Sequence, residues 1–309
     1  MLWNDARTGQ IICLSLFLLL GIFTRDWALQ PGMIGVAIAT TLLTQTLWII
    51  YQSSQNGDWE GIYANILRSL PSALITALGL SLLLRVDHYS TMVLASAVGI
   101  TSKFCLRVQD KHLFNPANFG IVTVLALTGD AWVSPGQWGE EGWYALAFLG
   151  GGGLVLQRVG RWDTSVMFLV TYAGLEAARN VWLGLTWDVW AHRLMNGSLL
   201  LFALFMVTDP RTIPNHRLGR LVWVGAIAVL TFILRNLFFI PEAMFWALFV
   251  MSPVAVAIDG LLPGDDFSWE STSRVAAPVA DDPLSVQVPV NSPRFCAPQP
   301  PTLGEPSLR

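Results

Sequence analysis

Apolar residues along the chain fall into ten runs, centred on 10–24, 31–51, 70–85, 89–104, 114–129, 142–157, 164–184, 191–208, 218–235 and 238–258. An α-helix needs about 20 residues to cross the hydrocarbon core of a bilayer, so the runs predict membrane-spanning helices. Several are close to 15 residues long. Either their ends are misplaced by a few residues, or these helices are broken or re-entrant. Broken helices are tolerated in a membrane only where protein or a polar cavity surrounds them. The first run, IICLSLFLLLGIF, is read as a membrane helix rather than a cleaved leader, because no small-x-small cleavage site follows it and nine more runs do. The expected fold is all-α: a polytopic membrane protein of about ten transmembrane helices.

Two of the runs open alike. His112-Leu113-Phe114-Asn115-Pro116-Ala117-Asn118-Phe119 leads into the fifth, and Asn236-Leu237-Phe238-Phe239-Ile240-Pro241-Glu242-Ala243-Met244-Phe245 into the tenth. Each gives Leu-Phe, then proline, then a phenylalanine at the head of an apolar run. Five spans separate them, so they start from opposite sides of the membrane. Two inverted five-helix repeats, at about 10–129 and 142–258, would produce that pattern. A fainter echo ends the third and eighth runs, near Asp87 and Asp209.

Composition supports the membrane reading. Hydrophobic residues make up 53% of the 309 and charged residues 13%, about half the charge of a soluble domain. Counting Arg and Lys by loop gives an orientation. With the N-terminus inside, ten fall on the cytoplasmic side (Arg7, Arg68, Lys103, Arg107, Lys111, Arg158, Arg161, Arg211, Arg217, Arg220) and five outside (Arg25, Arg85, Arg179, Arg193, Arg235). The loop at 130–141 carries Asp130, Glu140 and Glu141 but no basic residue. Both termini are then cytoplasmic. Residues 1–258 read as the transmembrane domain. From 259 to 309 the chain holds nine of the 17 prolines and no helical periodicity, which predicts a disordered cytoplasmic tail.

Several chemistries are excluded. The 16 arginines and two lysines form no basic run, so a nucleic-acid surface is not expected. Cys13, Cys105 and Cys296 are isolated, with no CxxC. His88, His112, His192 and His216 all fall near segment ends, leaving no intramembrane pair to ligate haem. No HExxH, GxSxG or P-loop pattern is present, which disfavours a hydrolase or an ATP-driven pump. No metal site is expected.

Three clusters remain. Asn115 stands before Pro116, where helical geometry is disfavoured, and can cap the helix that begins there. Asn118 would lie in its first turn, and Ala117 and Gly120 would let a backbone or a flat ligand approach closely. Thr208-Asp209-Pro210-Arg211 closes the eighth run, where Asp209 can accept from Arg211 or from freed backbone N–H groups. In the seventh run Tyr172, Glu176, Arg179 and Asn180 share a helical face, and Glu176 and Arg179 are spaced to neutralise each other, as an ion pair or along an ion path. Gly150–Gly153 predicts close helix packing or a kink.

KHLFNPANFG and FMVTDPRTIP together resemble the NqrB/RnfD family, membrane subunits of the sodium-pumping quinone reductase and of the Rnf electron-transport complex. The resemblance covers residues 10 to 258 and implies ten helices in two inverted halves. It also implies a bacterial-type inner membrane, other electron-transport subunits as partners, and sodium ion or proton movement coupled to flavin redox chemistry. Asn115, Pro116, Asn118 and Gly120 match its first motif, and Thr208, Asp209 and Pro210 its second. Redox members carry FMN on the threonine of a Ser-Gly-Ala-Thr type sequence, which this chain lacks. FMN or riboflavin would therefore be held noncovalently, if flavin is held at all. The competing expectations are a channel or transporter for a small solute on the same scaffold, and a scaffold that assembles partners.

Overall fold

The computed structural model describes residues 6–25, 29–57, 59–108, 111–134, 136 and 143–264. Among them helices dominate: α1 (Ala6–Leu20, prolonged by π-helical Gly21–Arg25), α2 (Pro31–Asn56), α3 (Ile62–Leu83), α4 (Tyr89–Cys105), α5 (Pro116–Leu127), α6 (Trp143–Val159), α7 (Trp162–Trp182), α8 (Trp187–Leu194), α9 (Gly197–Leu201, prolonged by π-helical Phe202–Met206), α10 (Arg217–Asn236) and α11 (Ala243–Leu261). By length and composition α2, α3, α10 and α11 can each cross a bilayer, whereas α5 and α9 are short and apolar.

The all-α expectation needs one amendment. Strand β1 (Leu84–Val86) pairs antiparallel with β4 (Ala131–Val133), and β2 (Arg107–Val108) with β3 (Lys111–His112). These short ladders satisfy backbone groups that helix ends leave open. Beyond β4, the Gly197 N–H donates to the Gly136 carbonyl at 3.1 Å, and the Ser198 hydroxyl bonds the Ser134 carbonyl.

Local chemistry explains the helix ends. Pro31 opens α2, where its missing N–H is not needed. Gly57 closes it at φ 67°, a left-handed position that favours glycine. Along α2 the buried residues are Met33, Ala37, Thr41, Gln45, Ile49 and Ser53, one narrow stripe at every fourth position. Leu43 and Leu47 stand exposed on its other side, as a lipid-facing helix requires.

Close packing relies on small residues. A Cβ at Gly99 of α4 would meet the Pro116 carbonyl oxygen at 2.6 Å, and one at Gly120 of α5 would press still harder on the Ala95 carbonyl. The glycine run of α6 also packs closely: a Cβ at Gly151 would meet Cys13 Sγ of α1 at 2.8 Å, and one at Gly152 would meet the Leu204 side chain at 2.6 Å.

Two sequence expectations change. The run at 191–208 is not one helix, because Asn196 starts a new one by accepting the Leu199 N–H at 3.0 Å. The residues before it form α8, which buries none of its side chains. Nor does the tail begin at Asp259: α11 continues to Leu261, and the Asp259 carboxylate pairs with Lys111 Nζ at 2.5 Å and takes the Asn215 N–H at 2.7 Å. Residues from 265 onward, Glu140 and Glu141 lie outside the described residues.

Candidate functional site

Asn115 has extended backbone (φ −64°, ψ 125°), and its side chain accepts the Asn118 N–H at 3.1 Å, so the expected cap forms with Pro116 at the first helical position. The depth of this helix start decides what the cap can do. α11 runs antiparallel to the approaching chain: Lys111 meets Asp259, Phe114 stacks on Phe249 at 4.8 Å, and the Asn118 amide donates to the Phe245 carbonyl at 3.2 Å. Fourteen residues of helix separate Phe245 from Asp259, about 21 Å at 1.5 Å per residue. The first turn of α5 is therefore internal. Asn115 is 7% exposed and Asn118 fully buried. The N–H groups and partial positive charge of a helix N-terminus are thereby carried into the protein.

Asn115 also reaches across the chain. Its Nδ2 donates to Asp209 Oδ2 at 3.1 Å, while Asp209 Oδ1 accepts the Arg211 N–H at 3.1 Å. Of the two acceptor roles expected for Asp209, the backbone N–H is the one realised. Thr208 bonds back to the Leu204 carbonyl at 2.8 Å, and Pro210 is buried. Thus Asn115-Pro116 and Thr208-Asp209-Pro210, 94 residues apart at the joining bond, form one structure.

That structure lines a cavity of about 400 Å³, within the range of about 300–1,000 Å³ typical of small-molecule sites. Its walls include Leu82, Val155, Leu156 and Leu204 on the apolar side, with Pro116 and Ala117 at the start of α5. Two polar residues that the sequence motifs do not include face the same space. Gln45 of α2 is 6% exposed, and its Oε1 has no partner. Lys103 of α4 is 5% exposed and donates to the Ser72 carbonyl at 3.3 Å and hydroxyl at 3.1 Å. Their signal was a glutamine and a lysine inside otherwise apolar runs. His112 lines the cavity too, and burial, then the charges of Lys103, Arg211 and Arg107, pushes its imidazole down to about 3.

Other predicted residues have different surroundings. Asn118 turns toward α11, with its Oδ1 buried and unpartnered. Gly120 admits the backbone of α4. Glu176 is 1% exposed but is not neutralised by Arg179. Arg193 of α8 bonds its Oε2 at 3.0 Å and Asn236 of α10 its Oε1 at 2.8 Å, so the ion pair links different helices. Asn180 instead bonds the Leu185 and Thr186 carbonyls, holding the turn into α8. Arg179 stays half-buried and outside this network.

Comparison with known proteins points to the family that the two motifs resemble. Residues 126–267 match the NQR2, RnfD, RnfE family. Over 281 residues the chain is 31% identical to the D component of the ion-translocating oxidoreductase complex of Halorhodospira halophila, covering 91% of this chain and 66% of that protein. Proteins of the same name show 34% identity over 114 residues in Stutzerimonas stutzeri (37% of this chain, 32% of that one) and 32% over 136 residues in Marinobacter nauticus (43% and 38%). The chain thus spans just under two thirds of the first relative's length and about a third of the other two.

Proposed function

Because the chain belongs to the NQR2, RnfD, RnfE family, we propose that it is an RnfD-type integral membrane component contributing to electron transport coupled to transmembrane ion movement. The bond from Asn115 to Asp209 at the cavity wall carries this reading. Other electron-transport subunits would be its partners in a bacterial inner membrane. The basic residues and the Lys111–Asp259 pair would face the cytoplasm. The ten helices would form two inverted five-helix halves. The internal start of α5 against the start of α11, and the break before α9, support that arrangement.

The cavity suits a flavin held without a covalent bond. Gln45 Oε1 is a buried acceptor without a donor, Asn115 supplies a polar edge, and the opposite walls are apolar. A flavin, when bound, would supply one- and two-electron transfer. Around it Gln45 would orient the ring edge, α3 and α6 would exclude water, and Asp209 would hold a proton or sodium ion beside the path. The lack of a Ser-Gly-Ala-Thr sequence favours one other reading, a solute channel or transporter on this scaffold.

The test is an absorbance spectrum of the purified membrane protein before and after acid precipitation. Near-equimolar flavin released by acid is the expected result. Protein extracted directly into lipid nanodiscs that is colourless and passes a solute without an electron donor would overturn the redox reading in favour of transport.

A further inference from the structure

A second hollow opens from the side of the helices. α6 and α7 part along a groove of about 370 Å³, from Gln157 and Trp162 at one end to Leu149 and Leu169 at the other. Seven or eight helical residues separate those ends, a length of about 11–12 Å at about 1.5 Å per residue. Trp162 and Trp182 stand exposed at the two ends of α7, about 30 Å apart, as tryptophans at the two faces of a bilayer do. The groove therefore runs from one membrane face most of the way through a single leaflet, which is about 15 Å deep. Leu154 and Val170, next to its lining, are exposed, so it opens onto lipid. Leu156 and Leu204 wall it off from the central cavity, which they also line. A Cβ at Gly153 would meet nothing within 4 Å, so this glycine keeps the groove open, unlike Gly151 and Gly152. Charge at the membrane face is unbalanced. Arg217 and Arg220 share the Asp163 carboxylate at 3.3 and 2.9 Å, and the Arg161 guanidinium, beside Trp162 in the chain, adds a third positive charge to the same field.

We propose that the groove holds one acyl chain of an anionic phospholipid, its headgroup meeting Arg161 and the N–H groups of Gln157 and Trp162. Basic residues at the cytoplasmic ends of membrane helices attract anionic headgroups, and this end is cytoplasmic in the orientation proposed above. The chain regains dispersion contacts that an unfilled gap would forfeit. A helix of another protein fits less well, because it needs a seat along the full span of about 30 Å, and the groove covers just over a third of that. The inference stands apart from the flavin reading, since it concerns a different hollow. No bond is made or broken in this step, which is recognition only.

The experiment adds phosphatidylglycerol or phosphatidylcholine to the delipidated full chain in detergent and counts bound lipid by native mass spectrometry. Phosphatidylglycerol should bind about tenfold more tightly, the yield of one charge-assisted contact. Gly153→Leu puts a side chain into the groove and should weaken both lipids about tenfold. A Tm no lower than the wild type's would show that this variant is folded, since leucine is the better helix former. Gly35→Leu is the matched control on α2, where a Cβ likewise meets nothing within 4 Å, and should leave both affinities unchanged. Arg161→Gln should keep a bound lipid and bring the two affinities within about twofold. No bound lipid, or binding that Gly153→Leu leaves unchanged, would overturn the groove as the site. Equal affinity of the wild type for the two lipids would overturn the headgroup assignment. Normal lipid binding by Gly153→Leu, with loss of association to a second copy or to other subunits, would overturn the proposal in favour of a protein helix.

Discussion

Replacing Arg193 by Met should destabilise the protein much more than replacing Arg193 and Glu176 together. Glu176 is 1% exposed, and its two oxygens are held by Arg193 and Asn236. Removing Arg193 leaves a buried carboxylate with only neutral donors, Asn236 and the Tyr172 hydroxyl, and also strips Asn236 Oδ1 of the bond it accepts at 2.9 Å. Breaking a buried pair from one side costs about 3–5 kcal/mol. The Arg193 side chain is 30% exposed, so water recovers part of that loss and about 2–3 kcal/mol is the better figure. A domain of this size loses about 2–4 °C in Tm per kcal/mol, giving a fall of about 5–10 °C. Arg193→Met with Glu176→Gln removes the stranded charge and should recover more than half of it. The assay is thermal unfolding of both variants and the two single substitutions, in one detergent at one scan rate. If the double variant melted as low as Arg193→Met alone, the carboxylate would not be the source of the cost. The Glu176–Arg193 pair would then not be what holds α7, α8 and α10 together.

Three further outcomes are expected. Asp209→Asn keeps the shape of the turn but removes its charge, and should lower ion-coupled turnover about tenfold, or about 1.4 kcal/mol in the barrier; wild-type turnover would make the turn purely structural. Gly120→Ala pushes a methyl into the Ala95 carbonyl and should cost about 1–3 kcal/mol as overpacking, read as a lower Tm with no change in oligomer size. His112 titrates at about 3 in the folded protein against 6.5 when unfolded. The unfolded chain therefore binds the extra proton first, and stability should fall as pH drops from 6.5 toward 3, by up to about 1.4 kcal/mol per pH unit; melts at about pH 7.5 and about pH 5.5 should show this for the wild type and a weaker slope for His112→Asn.

Much of the helical framework was legible because apolar runs and caps are local signals. The runs at 31–51, 218–235 and 238–258 fall on α2, α10 and α11, and Asn115-Pro116 starts a helix where the sequence places it. The break at Asn196 was also written in the chain, as Asn-Gly-Ser after a charged segment, but the apolar residues on either side masked it. Partners across long separations were not legible. Helical spacing favoured Arg179 for Glu176, whereas packing brought Arg193 and Asn236. Lys111 and Asp259 are 148 residues apart, and nothing local links them. Lys103 entered only the count of cytoplasmic basic residues and Gln45 entered no motif, because it is the fold that brings both to one cavity.

The π-helical turns Phe202–Met206 have a consequence for the aim of the carboxylate that follows. There the Val207 N–H reaches back five residues to the Phe202 carbonyl at 3.0 Å, one more than an α-helix uses. Each residue of an α-helix turns the chain by about 100°, so the surplus residue acts as a phase setting for everything beyond it. Asp209 points toward Asn115 because of that setting. Deleting one residue from Phe202–Met206 would let the segment relax into a regular helix and shorten it by about 1.5 Å. The carboxylate would swing about a quarter turn off its target, with every side chain of the motif still present.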